Sequence, residues 1–206
     1  MDFLIHIFIT MFIVIDPIGV ASIFIAMVRG SDPAFRRAMA LRSTAIASII
    51  LLIFFFTGDS LLHMLGISLP AFRIAGGALL FLLAIDMVFA RHSGLRSTTA
   101  GEQQEAVHKH DISVFPLAFP LIAGPGALTT VLLMSTTPST TPIFIGMFLI
   151  LLFVLGLTLV SLLYASKISD LLGETGVNVI SRLFGLILAA LAVQYVMDGL
   201  KAAFAP

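Results

Sequence analysis

The stretch IDPIG at residues 15–19 lies in the middle of an apolar run that extends over residues 3–28, and it governs how the first membrane span is built. Aspartate is a preferred N-cap residue, and proline is favoured at the first position of a helix. The residue before a proline also avoids helical dihedral angles. The pair Asp16-Pro17 therefore predicts that one helix ends and another begins in the middle of a membrane span.

A second stretch, AGPG at residues 123–126, repeats this pattern. The stretches RIAG at residues 73–76 and RLFG at residues 182–185 form another similar pair. The offset from Pro17 to Pro125 is nearly the same as the offset from Arg73 to Arg182. Two pairs of landmarks at nearly one spacing indicate an internal duplication. Chance similarity between apolar helices is the alternative explanation.

The composition places the chain in a lipid environment. Of its 206 residues, 59% are hydrophobic and 11% are charged, and the mean hydropathy is +1.13. A soluble domain of this size needs more polar surface. The 11 basic and 11 acidic residues balance, which gives no indication of a nucleic-acid partner, and the absence of cysteine excludes disulfides and thiolate metal sites. The first residues lack a basic region and a cleavage site, so we expect a membrane helix there and not a signal peptide.

Polar interruptions divide the chain into six candidate spans, because a helix needs roughly 20 apolar residues to cross about 30 Å of hydrocarbon. We expect an all-α integral membrane protein with one membrane domain over residues 1–206. Residues 1–90 form a first three-helix repeat, 91–111 a cytoplasmic connector and 112–206 a second repeat. The six spans are predicted at residues 3–28, 35–58, 69–90, 112–134, 143–166 and 179–200.

Three spans per repeat is an odd number, so the second repeat must enter the membrane from the opposite side. This predicts two inverted repeats, each with its first helix broken at mid-membrane, an architecture common in secondary transporters. Nine of the 11 basic residues fall in or beside the loops after the first, third and fifth spans. The positive-inside rule then places those loops in the cytoplasm and both termini outside.

The two breaks differ in chemistry. An ionised carboxylate at the centre of a span costs at least about 2.5–3.5 kcal/mol, so Asp16 should have a partner, a water-filled cavity or a proton. Gly124 has no side chain to cap the helix that begins at Pro125 and Gly126, and such a helix N-terminus attracts anions. We therefore expect a polar cavity at mid-membrane that binds a zwitterion, with its ammonium near Asp16 and its carboxylate at residues 124–126.

Several further residues are candidates for this site, each with a plainer alternative. The hydroxyls of Ser22, Thr129 and Thr130 contact the ligand or bond back to their own helices. Gly76 and Gly77 are explained better by close packing between helices than by a position in the lining of the cavity. Asp86 is a weaker candidate than Asp16 for proton coupling, and Pro17 and Gly19 complete the first break.

No arrangement within the spans resembles a catalytic or metal site. The stretch HKHD at residues 108–111 is typical of a solvated loop and not of a metal centre. We therefore expect no enzyme activity and no cofactor. A proton or a sodium ion would serve as coupling ion.

At these residues the sequence resembles the MarC family, which includes small neutral amino acid transporters and many bacterial inner-membrane proteins. The resemblance covers nearly the whole chain and is carried by five stretches: DPIG at residues 16–19, FRIAGG with LFLLAI at residues 72–85, PLAFPLIAGPG at residues 116–126, LGETGVN at residues 172–178 and RLFGLIL at residues 182–188. It departs at Val20 and Ser22, where the family often has asparagine and proline.

The resemblance implies six spans, a bacterial inner-membrane location and proton-linked transport of glycine- or alanine-like substrates. The expected partners are that zwitterionic amino acid and membrane lipid, and self-association is plausible. A passive channel for small solutes, or an exporter of another small metabolite, is the alternative. A non-transporting scaffold has no need of a polar cavity at mid-membrane.

Overall fold

The computed structural model describes residues 2–89, 112–136 and 140–204, and the regular secondary structure in these ranges is helical. We number the helices α1 (Asp2–Ile15), α2 (Pro17–Met27), α3 (Pro33–Met64), α4 (Leu69–Val88), α5 (Pro125–Ser135), α6 (Thr141–Leu163) and α7 (Ala165–Phe204). A wide-turn segment, Ser113–Ile122, precedes α5. The predicted connector at residues 91–111 and its histidines lie outside the described residues, as do residues 137–139 of the hairpin between α5 and α6.

Five of the described helical stretches are long and apolar enough to cross a membrane. The number is up to six if the bent pair formed by the wide-turn segment and α5 is counted as one span. The first span, Phe3–Met27, contains the break at Asp16, whereas the pair Ser113–Ile122 and Pro125–Ser135 bends by 58°. Both predicted breaks are therefore present. Many large apolar side chains point outward, among them Ile53 and Phe153, as expected where lipid is the solvent.

Helix boundaries differ from the prediction by four residues or more at two spans, the second and the sixth. The second span was expected to end at Gly58, but α3 continues to Met64, beyond the end of the apolar run. In this extension Asp59 and His63 lie one turn apart, with the His63 Nε2 3.7 Å from the Asp59 Oδ1. The sixth span was expected from residue 179, but its apolar helix begins at Thr175. Gly173, with φ of 61°, breaks α7 before that point, and this left-handed conformation favours glycine.

The most extensive interface joins α4 and α7, which run antiparallel. Glycines let their backbones approach closely, as small residues do in membranes. A methyl group on Gly77 would lie 2.8 Å from the Ala192 carbonyl oxygen, and one on Gly199 would lie 2.9 Å from the Pro70 carbonyl oxygen. The N-terminal part of α4 thus packs against the C-terminal part of α7.

Helices α3 and α6 also pack antiparallel. The centroids of the Phe55 and Phe144 rings lie 4.9 Å apart at one end. At the other end, the Arg36 Nη1 donates a hydrogen bond at 3.2 Å to the Oγ of Ser166, which lies just beyond the end of α6. In contrast α1 and α6 run parallel, since Leu4 packs on Gly146 and Phe8 packs on Phe153.

The two broken spans are held between these pairs. Helix α3 contacts both the wide-turn segment and α5, while α6 contacts both α1 and α2. Helix α7 packs on α2, and α4 packs on α5. The breaks consequently lie in the interior of the bundle, where open backbone groups are shielded from lipid.

Candidate functional site

The first break is a capped helix start. Asp16 has φ of 52° and ψ of 66°, a left-handed conformation that ends α1 and that aspartate tolerates better than most residues. Its Oδ1 accepts a hydrogen bond from the Gly19 backbone N–H at 3.0 Å. The Asp16 side chain is buried, with 1% of its surface exposed. The prediction of an aspartate N-cap followed by proline at the first helical position is confirmed here.

Gly19 is needed for this cap in a way that the sequence alone does not reveal. A methyl group on Gly19 would collide with the Asp16 carboxylate itself. Any larger residue at this position would therefore push the carboxylate away from the N–H group that it caps. In the motif DPIG, the glycine at position 19 therefore leaves the space that the Asp16 carboxylate occupies.

The second break begins with the wide-turn segment. Its hydrogen bonds span five residues, from the Leu117 N–H to the Ile112 carbonyl at 3.3 Å and from the Ala123 N–H to the Ala118 carbonyl at 2.8 Å. Pro116 and Pro120 explain this geometry, because each lacks an N–H and disfavours a helical conformation in the residue before it. Phe115 and Phe119 accordingly have extended backbone, with ψ of 127° at both.

Helix α5 starts without a side-chain cap. Gly124 occupies the N-cap position and offers no side-chain hydrogen bond. The first N–H to join the helical ladder is that of Leu128, which bonds to the Gly124 carbonyl at 3.0 Å. Pro125 has no N–H. The backbone N–H groups of Gly126 and Ala127 therefore come before the first intrahelical hydrogen bond and have no carbonyl partner within the helix. This end carries the positive pole of the helix dipole.

A cleft opens at this uncapped helix start. The wide-turn segment and α5 supply most of it, and α1 and α4 supply the facing wall. Its lining consists of Val14, Leu79, Leu83, Pro120, Leu121, Ile122, Gly124, Pro125, Gly126 and Ala127. The side chains are apolar throughout, so the polar groups available to a guest are backbone groups of the break.

Asp16 is not part of this lining. The two breaks are neighbours all the same, because a methyl group on Gly126 would lie 3.4 Å from the Val14 Cγ1 and Val14 precedes Asp16 by two residues. The cleft therefore borders the second break, while Asp16 of the first break is buried and lies outside the cleft lining.

The two threonines beyond the second break differ in their surroundings. The Thr130 Oγ1 donates to the Gly126 carbonyl at 2.9 Å, the back-bonding arrangement that was the alternative to ligand contact. Thr129 is buried and its methyl group fills the space beside Gly76, where a methyl on the glycine would collide with it. Gly76 thus lies at the contact between α4 and α5.

The remaining predicted residues lie away from the cleft. Ser22 is half-buried one turn into α2, and Gly77 packs against α7. Asp86 is half-buried two residues before the end of α4. None of the three is among the lining residues.

The apolar wall of the cleft is not predicted by the sequence. Val14, Leu79 and Leu83 look like any other aliphatic residues of membrane helices. They come from α1 and α4 and meet α5 only through tertiary packing, so no local sequence pattern identifies them.

Comparison with known proteins gives a consistent result over the whole chain. The model of the family described as MarC family integral membrane protein matches residues 1–204. The UPF0056 membrane protein YvbG of Bacillus subtilis is 37% identical over 98% of this chain and 96% of its own length. The UPF0056 inner membrane protein YhgN of Escherichia coli K12 is 39% identical over 92% of this chain and 91% of its own.

The similarity extends to archaea. The UPF0056 membrane protein PH0760 of Pyrococcus horikoshii is 35% identical over 94% of this chain and 92% of its own length. No solved structure matches the chain. Because the family match covers nearly every residue and these relatives align over almost their whole length, this chain belongs to the MarC family of integral membrane proteins.

Proposed function

We propose that this protein is a secondary transporter of small neutral amino acids such as glycine and alanine, driven by a proton gradient. The observation that carries the proposal is the uncapped start of α5 at Gly124–Gly126, which faces a cleft inside a membrane span. A purely structural bundle has no need of an open helix end in the interior, where unsatisfied backbone groups are costly. Discontinuous helices with this arrangement are typical of substrate sites in transporters.

The start of α5 suits a carboxylate. The N–H groups of Gly126 and Ala127 precede the helical ladder, and the dipole adds positive potential at the same place. In a site shielded from water these interactions are stronger than at a surface. At the start of α5, the carboxylate of an amino acid would take the position that corresponds to that of the Asp16 carboxylate at the start of α2.

Asp16 is our candidate for the proton or the substrate ammonium. Its carboxylate is enclosed in the bundle, where an ionised form costs at least about 2.5–3.5 kcal/mol unless it is compensated. A conformation that opens the first break would let it exchange a proton with one side of the membrane. Asp86 is a second candidate for proton coupling, and sodium is the alternative coupling ion.

Alternating access follows if the two halves are inverted repeats, which we infer from three relationships. The Asp16-Pro17 break recurs at Gly124-Pro125, at nearly the offset that separates Arg73 from Arg182. Helix α3 packs on both pieces of the second broken span, as α6 does on both pieces of the first. Helices α4 and α7, the third spans of the two halves, run antiparallel. Rocking of one half against the other around the breaks would expose the site to each side in turn.

We further propose a bacterial inner-membrane location with both termini outside. Arg36 contacts Ser166, so the loops after the first and fifth spans meet on one face. That face also carries Arg29, Arg37, Arg42 and Lys167, and basic residues are enriched on the cytoplasmic side. The relative YhgN bears the name inner membrane protein.

The proposal is tested by uptake of labelled glycine and alanine into proteoliposomes, with and without a pH gradient. We expect saturable uptake that increases when the outside is acidic. Uptake that responds to a sodium gradient instead would identify the other coupling ion. Flux that never saturates would indicate a passive channel, and a lack of flux of either amino acid would overturn the proposal.

A further inference from the structure

One arginine on the face of the bundle where α3 begins is partly buried. Arg36 lies in the first turn of α3, and its Nη1 donates a hydrogen bond to the Ser166 Oγ at 3.2 Å. Its Nε is buried and has no hydrogen-bond partner among the described residues. Asp32, close by in the chain, accepts a hydrogen bond from the Ala34 N–H instead. A hydroxyl does not neutralise a guanidinium, so the charge of Arg36 is uncompensated within the described part of the chain.

A second cation lies beside this arginine. Lys167 follows Ser166 in the chain, its side chain is exposed, and its Nζ lies 5.4 Å from the centroid of the Tyr164 ring. The attraction between a cation and an aromatic ring holds the ammonium near the ring and leaves its charge in place. In the ranges that the structure describes, Lys167 forms no ion pair with a carboxylate. Two cations without a counter-charge therefore flank the Ser166 hydroxyl.

Tyr164 places these cations at the surface of the membrane. Helix α6 has the highest mean hydropathy of the five candidate spans, 3.0, and it ends at Leu163. Tyr164 comes next and is 53% exposed, and tyrosine is enriched where the hydrocarbon meets the headgroups. In the turn before it, Val160 and Leu163 expose apolar surface. Acyl chains can thus cover the end of α6 while a headgroup reaches Arg36 and Lys167.

We propose that Arg36 and Lys167 bind the phosphate of an anionic phospholipid, with phosphatidylglycerol as the probe. The planar guanidinium presents several N–H donors that match the geometry of a phosphate, and the ammonium adds a point charge. A zwitterionic headgroup carries its own cation and gains less from two further positive charges. Basic pockets between membrane helices bind anionic headgroups in this way. The site is separate from the cleft at the second break and does not depend on transport.

The preference for an anionic headgroup is measured by native mass spectrometry of the detergent-purified chain. The protein is mixed with equal amounts of phosphatidylglycerol and phosphatidylcholine that carry the same acyl chains, and the occupancies of the first bound lipid are compared. Each basic residue near an anionic headgroup contributes a factor of about five, so with two residues we expect phosphatidylglycerol to exceed phosphatidylcholine by at least about tenfold.

Two substitutions remove the cations one at a time. Arg36→Gln and Lys167→Gln should each lower the preference for phosphatidylglycerol about fivefold. Because Lys167 is exposed, its variant keeps the test available if loss of the half-buried Arg36 prevents folding.

The matched controls remove the same charge elsewhere. Arg37→Gln alters the next residue of the same turn, which is exposed, and Lys201→Gln alters an exposed lysine near the opposite end of α7. Each control should change the preference by less than about twofold, because exposed charges away from the headgroup are screened.

Three outcomes would overturn the site. Equal binding of the two lipids by the unmodified protein would show that the headgroup charge is not recognised. Equal losses in Arg36→Gln and Arg37→Gln would show diffuse attraction to a basic surface. Inorganic phosphate that displaces phosphatidylglycerol at the concentration of the lipid would show that the residues bind the free ion. Since no amino acid is present in the measurement, its result is separate from that of the uptake experiment.

Discussion

The Asp16 carboxylate accepts a hydrogen bond from the Gly19 N–H at 3.0 Å, and this cap starts a helix inside a membrane span. The corresponding start at Gly124 has no side-chain cap and opens on a cleft. The two breaks are thus alike in their backbone plan and opposite in their chemistry. The helix that begins at Pro17 is capped by the Asp16 side chain, and the helix that begins at Pro125 has no side-chain cap.

The cap predicts different outcomes for two substitutions of Asp16. Asparagine also accepts the Gly19 hydrogen bond and tolerates the left-handed conformation, so Asp16→Asn should unfold within about 0.5 kcal/mol of the unmodified protein. Alanine does neither, so Asp16→Ala should lose about 1 kcal/mol for the cap and about 1–2 kcal/mol for the backbone. Thermal unfolding in detergent measures both. Equal stability of the two variants would contradict the capping role.

Asp16→Asn also tests proton coupling, since it keeps the cap and removes the titratable group. In proteoliposomes we expect it to abolish the dependence of glycine uptake on a pH gradient while exchange of glycine continues. Asp86→Asn is the comparison, because Asp86 is the second candidate for proton coupling and lies near the end of α4. Coupling that survives in Asp16→Asn and is lost in Asp86→Asn would transfer the role to Asp86.

The contact between α4 and α5 makes Gly76 intolerant of a side chain. Gly76→Ala places a methyl group against the Thr129 methyl, and overpacking of this kind costs about 1–3 kcal/mol. Thr129→Ser removes that methyl and should restore most of the loss. Gly156→Ala is the control, because nothing lies within 4 Å of a methyl there and alanine is the better helix former by about 1 kcal/mol. A Gly76→Ala variant as stable as this control would refute the contact.

The back-bond of Thr130 predicts a silent substitution. Because its hydroxyl donates to the Gly126 carbonyl within its own helix, Thr130→Val should change the KM for glycine by less than about twofold. A tenfold increase in KM corresponds to about 1.4 kcal/mol of lost binding and would show that the hydroxyl contacts the substrate. Initial uptake rates over a range of glycine concentrations give the answer.

The orientation is open to a labelling experiment, which the absence of native cysteine makes simple. Single cysteines at Leu65, between α3 and α4, and at Lys201, near the end of α7, should react with a membrane-impermeant maleimide in intact cells. Ser31→Cys, between α2 and α3, should react only after the membrane is opened. The opposite pattern would invert the topology and leave the fold as described.

The breaks could be predicted from sequence because their cause is local. Asp16-Pro17 and Gly124-Pro125 interrupt a helix through the stereochemistry of proline and the capping preference of its neighbour, whatever surrounds them. The helices and most of their boundaries follow from runs of apolar residues for the same reason. The extension of α3 to Met64 was missed because helical geometry does not stop where the apolar run ends.

The site could be predicted only in part. Residues 124–126, where the sequence predicts part of the site, line the cleft, but Asp16 lies outside its lining. Thr130 bonds to its own helix and Thr129 packs on Gly76. Whether a hydroxyl contacts a neighbour or its own backbone depends on side-chain rotation and packing, which leave no periodic signal in the sequence.

The sequence by itself is enough to predict that the chain is a membrane protein, that it crosses the membrane as helices, and that two of its spans break at a proline. These properties depend on solvation and on backbone stereochemistry, both of which act on neighbouring residues. The antiparallel packing of α4 on α7, and the closing of Leu83 and Val14 on Gly126, appear only in the folded bundle. Those contacts join residues on different helices and far apart in the sequence, so they arise from the way the helices pack and from no local preference.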